Sequence, residues 1–355
     1  MKRKKIVPIL LGLLLSVLIG MILLLVQGFN PVNVYYSIIK NSLMSWYGIT
    51  NTLNRMGVLL LVGTSASFAL DSGVSNLGQF GQLLVGAIVA TVIGIYLKLP
   101  RIILIIVILF CSAAAGALYS YIAAALKRKA GMNEFITTLM LNFIASLVTQ
   151  YLVGYPLLDP SSNWPMSKII NKNAVLSSIN GLDLAVIIST LLFLTIYFIL
   201  NHTKFGYESK MIGSNKIFAK TGGIEINDKF NKIMLISGAL AGVAGALMII
   251  GSSQQNRFLP DIGKSFGDDG LMVAVVSSGQ MSLVPIYSLI FSVFKSGATG
   301  MQLDTGIPQE FTIMIIAITV LSVVAFNSYY HIFIEKIKMK REIKKIKEDI
   351  DGISN

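Results

Sequence analysis

Long apolar runs separated by short polar stretches dominate the chain. A helix that crosses a membrane needs about 20 apolar residues. Six runs reach or approach that length: 6–26, 102–126, 135–153, 184–200, 233–251 and 311–334. Two shorter ones lie at 56–70 and 81–97. The apolar region 269–298 is interrupted by "SSGQMS" (277–282) and by Pro285, and reads as two short spans joined by a tight turn. The pattern predicts an all-α integral membrane protein with about ten transmembrane helices, in one domain over residues 1–355. Polar intervals remain at 27–55, 154–183 and 201–232, with a charged tail at 335–355. The interval 154–183 contains "YPLLDPSSNWP". It reads either as an ordinary ordered loop or as a cover over an external mouth.

Composition agrees with the pattern. The chain has 355 residues, of which 54% are hydrophobic and 13% charged, and its mean hydropathy is +0.73. A soluble domain is about 25% charged. The net charge of +12 does not describe a nucleic-acid surface, because the cations cluster beside apolar runs: "KRKK" at 2–5, "KRK" at 127–129, six Lys in 201–232 and seven Lys or Arg in 336–347. Cytoplasmic flanks carry that bias, which places both termini, loop 201–232 and the tail in the cytoplasm. "KLPR" at 98–101 then falls outside. The first apolar run is longer than a signal-peptide core and lacks a small-x-small cleavage site, so it reads as a retained span. One cysteine, Cys111, excludes an intrachain disulfide, and His202 and His331 have no clustered metal-ligating neighbours. No metal site and no cofactor are expected.

Three polar or small-residue patterns stand out. In "SGALAGVAGALMIIGSS", Gly238 and Gly242 form GxxxG, and Ala241 and Gly245 repeat the spacing. Four residues return to nearly the same helix face, so backbones can approach closely there. In "GMNEFITTLMLNFIASLVTQ", Asn133 is placed to cap a helix, with Glu134 in its first turn. Glu134, Thr138 and Asn142 share one face, and Asn142 sits about 12 Å deeper than Glu134. A polar face that deep points to another helix or to an aqueous path; both readings stand. In "SGVSNLGQFGQLLVGA", Asn76, Gln79 and Gln82 lie among glycines. Broken backbone cannot face lipid, so these neutral amides point to a cavity suited to an uncharged polar solute.

Catalytic chemistry is not indicated. "GKS" at 263–265 lacks the glycine a P-loop needs at position 258, which is Phe258, and no strand precedes it. The chain therefore does not hydrolyse ATP by itself. An ion-coupled carrier would need intramembrane ionisable residues, and Glu134 alone comes near that description. No nucleophile–base or paired-carboxylate arrangement supports an intramembrane enzyme.

The stretch "KMIGSNKIFAKTGGIEIND" (210–228) is polar, basic and glycine-rich between two apolar runs. Ser214 is expected to cap a short helix over "NKIFAK", ended by Gly222 and Gly223, with Ile217 and Phe218 exposed. So short a helix is not stable alone in water and needs a surface to dock on. Here the chain resembles the permeases of ABC importers of the branched-chain amino acid, simple sugar and nucleoside class. "IGSNKIFAKTGGI" with "KIMLISGALAGVAGALMIIG" resembles their coupling helix and the span that follows it. "GMNEFITTLMLNFIA", "SFGDDGLMVAVVS" and "MQLDTGIPQEFTIMIIAI" resemble further segments in the same order, over residues 50–330. The chain departs from the family at "NLGQFGQ", where an acidic residue is common, and at "SSGQMSLVP".

The resemblance implies a type II importer-like permease, not an enzyme. It assigns ATPase coupling to Gly213, Ser214, Asn215, Ile217, Phe218, Ala219, Gly223 and Ile224. It implies cytoplasmic ABC ATPase subunits, a second permease that is often a different chain, and a lipid-anchored external solute-binding protein. The nucleoside-branch motifs imply a nucleoside as solute, with simple sugars as the alternative. Asn76, Gln79, Gln82, Glu134, Thr138 and Asn142 are the expected pathway residues.

Overall fold

A computed structural model describes residues 6–251 and 256–326. The basic cluster 2–5, residues 327–334 of the last expected span and the tail 335–355 lie outside them. Thirteen α-helices occur among the described residues. They are α1 (Ile6–Val26), α2 (Pro31–Leu43), α3 (Trp46–Asp71), α4 (Gln79–Tyr96), α5 (Arg101–Ala130) and α6 (Glu134–Gly154). After them come α7 (Leu184–His202), α8 (Lys204–Ser214), α9 (Lys216–Thr221), α10 (Ile226–Ile250), α11 (Lys264–Val276), α12 (Val284–Thr305) and α13 (Glu310–Phe326). Among the described residues, seven helices are long and apolar enough to cross a membrane: α3 to α7, α10, and α12 with the short 3-10 turn before it. Each of the other expected spans also meets a helix, but α11 has only 13 residues.

The described residues form two compact units, one from residues 6–37 with 298–326, the other from residues 38–251 with 256–297. In the first, Asn30 accepts a hydrogen bond from the Val32 N–H at 3.0 Å and so starts α2, with Pro31 in the first turn where no N–H is missed. Phe29 meets Phe311 edge-on at 6.2 Å. Ser37 Oγ donates to Asp304 Oδ2 at 2.7 Å.

The second unit is built around α10, which is buried along most of its length from Ile233 to Ile250. Lipid is as apolar as leucine, so packing rather than burial selects partners inside a membrane. The glycines permit that packing. A Cβ on Gly242 would meet the Ser112 carbonyl oxygen of α5, and one on Gly86 of α4 would meet the Gly242 backbone. Gly238 faces Gly116 in the same way, Gly245 faces Leu83, and Ala241 is fully buried. Serines complete the contact: Ser112 Oγ donates to Gly86 O at 2.9 Å and Ser120 Oγ to Met234 O at 2.6 Å.

Residues 27–55 are not the loop that their polarity suggests, since α2 and the first ten residues of α3 occupy them. The polar side chains there are spent inside the bundle. Ser45 caps α3 by accepting from Gly48 N at 3.0 Å. Thr52 Oγ1 donates to Ser42 O at 3.0 Å, and the Asn54 amide donates to Gly181 O and accepts from Asp183 N. Segment 154–183 is ordered, with a two-stranded hairpin β1 (Ser178–Ile179) and β2 (Leu182–Asp183). Its N–H groups close the ends of other helices: Asn171 N bonds Gly94 O of α4, and Leu176 N bonds Ile250 O of α10. Arg101, in "KLPR", donates to Val175 O at 2.8 Å, on the same side.

Candidate functional site

At the opposite end of the second unit, the chain leaves α3 at Asp71 and does not resume a helix until Gln79. The intervening residues carry bare peptide groups that lipid cannot satisfy. Polar side chains take them up. Thr138 Oγ1 accepts from Leu77 N at 3.2 Å. The Asn142 amide donates to Leu77 O at 2.9 Å and accepts from Gly81 N at 2.8 Å. Asn76 Oδ1 accepts from Gly78 N and from the Gln82 amide, while its own N–H donates to Ser237 Oγ at 2.8 Å. The polar face of α6 thus grips the broken segment, and Asn76 ties it to α10. Gln79 is fully buried, and its amide makes no hydrogen bond among the described residues. Asn76, Gln79, Gln82 and Thr138 do not reach the surface, and Asn142 is half-buried.

Glu134 lies at the start of α6, which Asn133 caps by accepting from Phe135 N at 2.9 Å. Its carboxylate pairs with Lys127 Nζ at 2.7 Å, and that ammonium stands 4.2 Å from the centre of the Phe230 ring. The basic last turn of α5, Lys127 to Lys129, faces the favourable end of the helix dipole.

The stretch 210–228 forms α8, one extended residue, and α9. Ser214 does not cap the short helix, because it is the last residue of α8. Asn215 does, with Oδ1 accepting from Ile217 N and Phe218 N, both at 3.0 Å. A planar amide on the residue joining two helices reaches both orphan N–H groups at once. Gly223, at φ +79°, ends the turn, and Ile224 N bonds back to Ala219 O at 3.1 Å. Ala219 is fully buried, whereas Ile217 is 79% and Phe218 61% exposed. Gly213 packs on main chain: a Cβ there would meet Asp71 O and stand 3.0 Å from Gly73 N. Upstream, Lys229 pairs with Glu208 of α8, and its ammonium holds that carboxyl below the usual range.

The expectation that Glu134 alone is ionisable within the helices is corrected. Lys295 Nζ of α12 lies 3.2 Å from Asp269 Oδ2 of α11, and both side chains are largely buried. Arg55 of α3 sits 4.7 Å from the centre of the Phe266 ring and donates to Ser265 Oγ at 3.3 Å. Single charges disappear in a hydropathy average. The signal was Lys295 standing alone in a mainly apolar run.

Comparison with known proteins gives a consistent result. The family model described as the branched-chain amino acid transport system permease component matches residues 48–324. The guanosine ABC transporter permease protein NupP of Bacillus subtilis is 29% identical, over 88% of this chain and 91% of its own. The nucleoside ABC transporter permease protein NupB of Lactococcus lactis is 28% identical, over 95% and 94%. The glucose ABC transporter permease protein TsgB13 of Haloferax volcanii is 27% identical, over 88% and 85%. No solved structure gives a significant match. Family proteins are membrane permease components, not catalytic enzymes, and work with ATPase and solute-binding partners. With the match covering most of the sequence and the helices above to carry it, this multi-pass membrane chain belongs to the branched-chain amino acid transport system permease family of ABC importers.

Proposed function

We propose that this chain is the permease through which an ABC importer moves a nucleoside, with α9 as its coupling helix. The observation that carries the coupling assignment is the exposure of Ile217 and Phe218 on a six-residue helix. A helix that short needs tertiary contact to persist, and its apolar side is left open. Gly213, Ser214, Asn215, Ala219, Gly223 and Ile224 set its position and ends. The basic clusters at 127–129 and in 201–232 support a cytoplasmic location for this side, with both termini there as well. A second permease, two ATPases and a lipid-anchored external binding protein complete the importer at the plasma membrane.

Neutral amides suit an uncharged polar solute, and two of the relatives named above are nucleoside permeases. In this reading Asn76, Gln82, Thr138 and Asn142 shape the pathway by holding the broken segment, Glu134 borders it while paired with Lys127, and Gln79 meets the solute only when that segment moves. A simple sugar is the alternative, favoured by the similarity to TsgB13. Uptake of labelled guanosine and glucose by the reconstituted importer separates the two. Phe218→Asp tests the coupling assignment: the permease is expected to insert normally and to lose its ATPase on co-purification. Retention of the ATPase with full transport would sink it.

A further inference from the structure

On the basic side of the second unit, α5, α9, α10 and the start of the broken segment enclose a cavity of about 230 Å³. Its depth follows from α5. Arg101 bonds segment 154–183 at one end of that helix, and Lys127 lines the cavity about 39 Å further along. A bilayer with both headgroup layers is about 40–45 Å thick, so the cavity lies at headgroup level.

Three cations line it, Lys127, Arg128 and Lys216, and no acid does. Lys127 is spent on Glu134 and on the face of Phe230. Arg128 and Lys216 make no ion pair among the described residues. Arg128 donates to Tyr121 Oη at 3.3 Å, and Lys216 is near enough for its charge to act on Glu134. Asn227 and Asn231, four residues apart on one face of α10, also line the cavity. Neither amide makes a hydrogen bond among the described residues. α10 begins here without a side-chain cap, and Asp228 in its first turn is paired with Lys232. The remaining wall is apolar, with Val74, Ile212 and Ile233 all buried.

Cations gathered in a concave site with no acid among them repel one another. An anion relieves that repulsion and employs the idle donors. Guanidinium and ammonium groups make their strongest hydrogen bonds to phosphate oxygens, and an uncapped helix start favours the same charge. Pockets for drug-sized ligands begin at about 300 Å³. This smaller cavity takes a phosphate and the few carbons esterified to it.

We propose that the cavity binds the phosphate of an anionic ester. Arg128 and Lys216 hold the charge, and Asn227 and Asn231 donate to the remaining oxygens. A phospholipid headgroup and a soluble phosphate monoester share that chemistry, and depth at the headgroup layer favours the lipid. The bound group ties the short helix α9 to α5 and α10. This goes beyond the solute and coupling assignments and does not rest on them.

Thermal unfolding of the full chain in a neutral detergent tests it, with parallel titrations of dihexanoyl phosphatidic acid, dihexanoyl phosphatidylcholine and glycerol 3-phosphate. Phosphatidic acid is expected to raise the midpoint saturably. Phosphatidylcholine has the same chains without net charge and is expected not to. An equal rise with glycerol 3-phosphate assigns the site to a soluble ester, and no rise with it assigns the site to lipid. Arg128→Gln with Lys216→Gln is expected to weaken the response at least tenfold. Lys129→Gln with Lys220→Gln removes as much charge from the same two helices, from exposed residues that do not line the cavity, and is expected to change nothing. If the first double variant does not fold, Lys216→Gln alone, at an exposed side chain, is expected to weaken the response at least threefold. No saturable rise with either phosphate ester overturns the site. So does equal weakening by the two double variants, which would show attraction to the basic flank as a whole.

Discussion

Gly86, Gly116 and Gly242 bring three helix backbones together with almost no side chain between them, and Ser112 and Ser120 close the remaining polar contacts. A few helices away, α11 meets α3 and α12 through Arg55, Asp269 and Lys295. Both regions lie within apolar helices, and they solve the same packing problem oppositely. Main-chain contact has one geometry and no adjustable part. A contact made by long charged side chains keeps its partners over a range of helix positions, provided that no charge is left alone. The first arrangement suits a frame, and the second suits an element that shifts during transport.

The comparison breaks most severely at Gly242→Leu. Overpacking a well-filled core costs about 1–3 kcal/mol when side chains can yield. Here the obstacle is the Ser112 carbonyl and the Gly116 backbone, so a larger loss and failure to assemble are expected. Thermal unfolding of the purified permease reads it, with Leu191→Val on the exposed face of α7 as the neutral control. If Gly242→Leu keeps wild-type stability, the frame is not rigid.

Lys295→Met should cost about 3–5 kcal/mol, because it leaves Asp269 buried without its cation. Adding Asp269→Leu should recover most of that loss, since an apolar pair of similar volume replaces the ion pair. The glycine contact offers no such compensation. A double variant as unstable as Lys295→Met would show that the charges are not acting as a pair.

The smallest effect is expected at Asn142→Leu. It strands Leu77 O and Gly81 N, and because Asn142 is only half-buried the two together should cost about 1–3 kcal/mol. Leu77 lies in the broken segment and Gly81 in the first turn of α4 that follows it, so transport should fall while the ATPase stays attached. Full transport would mean that the grip of α6 on this segment is dispensable.

Apolar periodicity was enough to locate the helices, because run length carries that information directly. It missed α2 and the front of α3, where Thr52, Asn54 and their partners satisfy one another inside the bundle. Polarity is visible in a sequence, but the partner that neutralises it is not. The same limit hid the pairing of Lys295 with Asp269 across more than twenty residues of chain. GxxxG was legible because it depends on spacing along one helix. The apposition of Gly213 with Asp71 and Gly73 was not, since nothing local in either segment announces the other.

That apposition has a mechanical consequence. A side chain between two segments acts as a spring, absorbing small displacements by rotating about its bonds. Gly213 has none, and it bears directly on the peptide groups of Asp71 and Gly73. The joint is stiff in compression. A shift of the coupling segment toward the membrane therefore reaches the start of the broken segment with little of its amplitude lost, within one van der Waals contact.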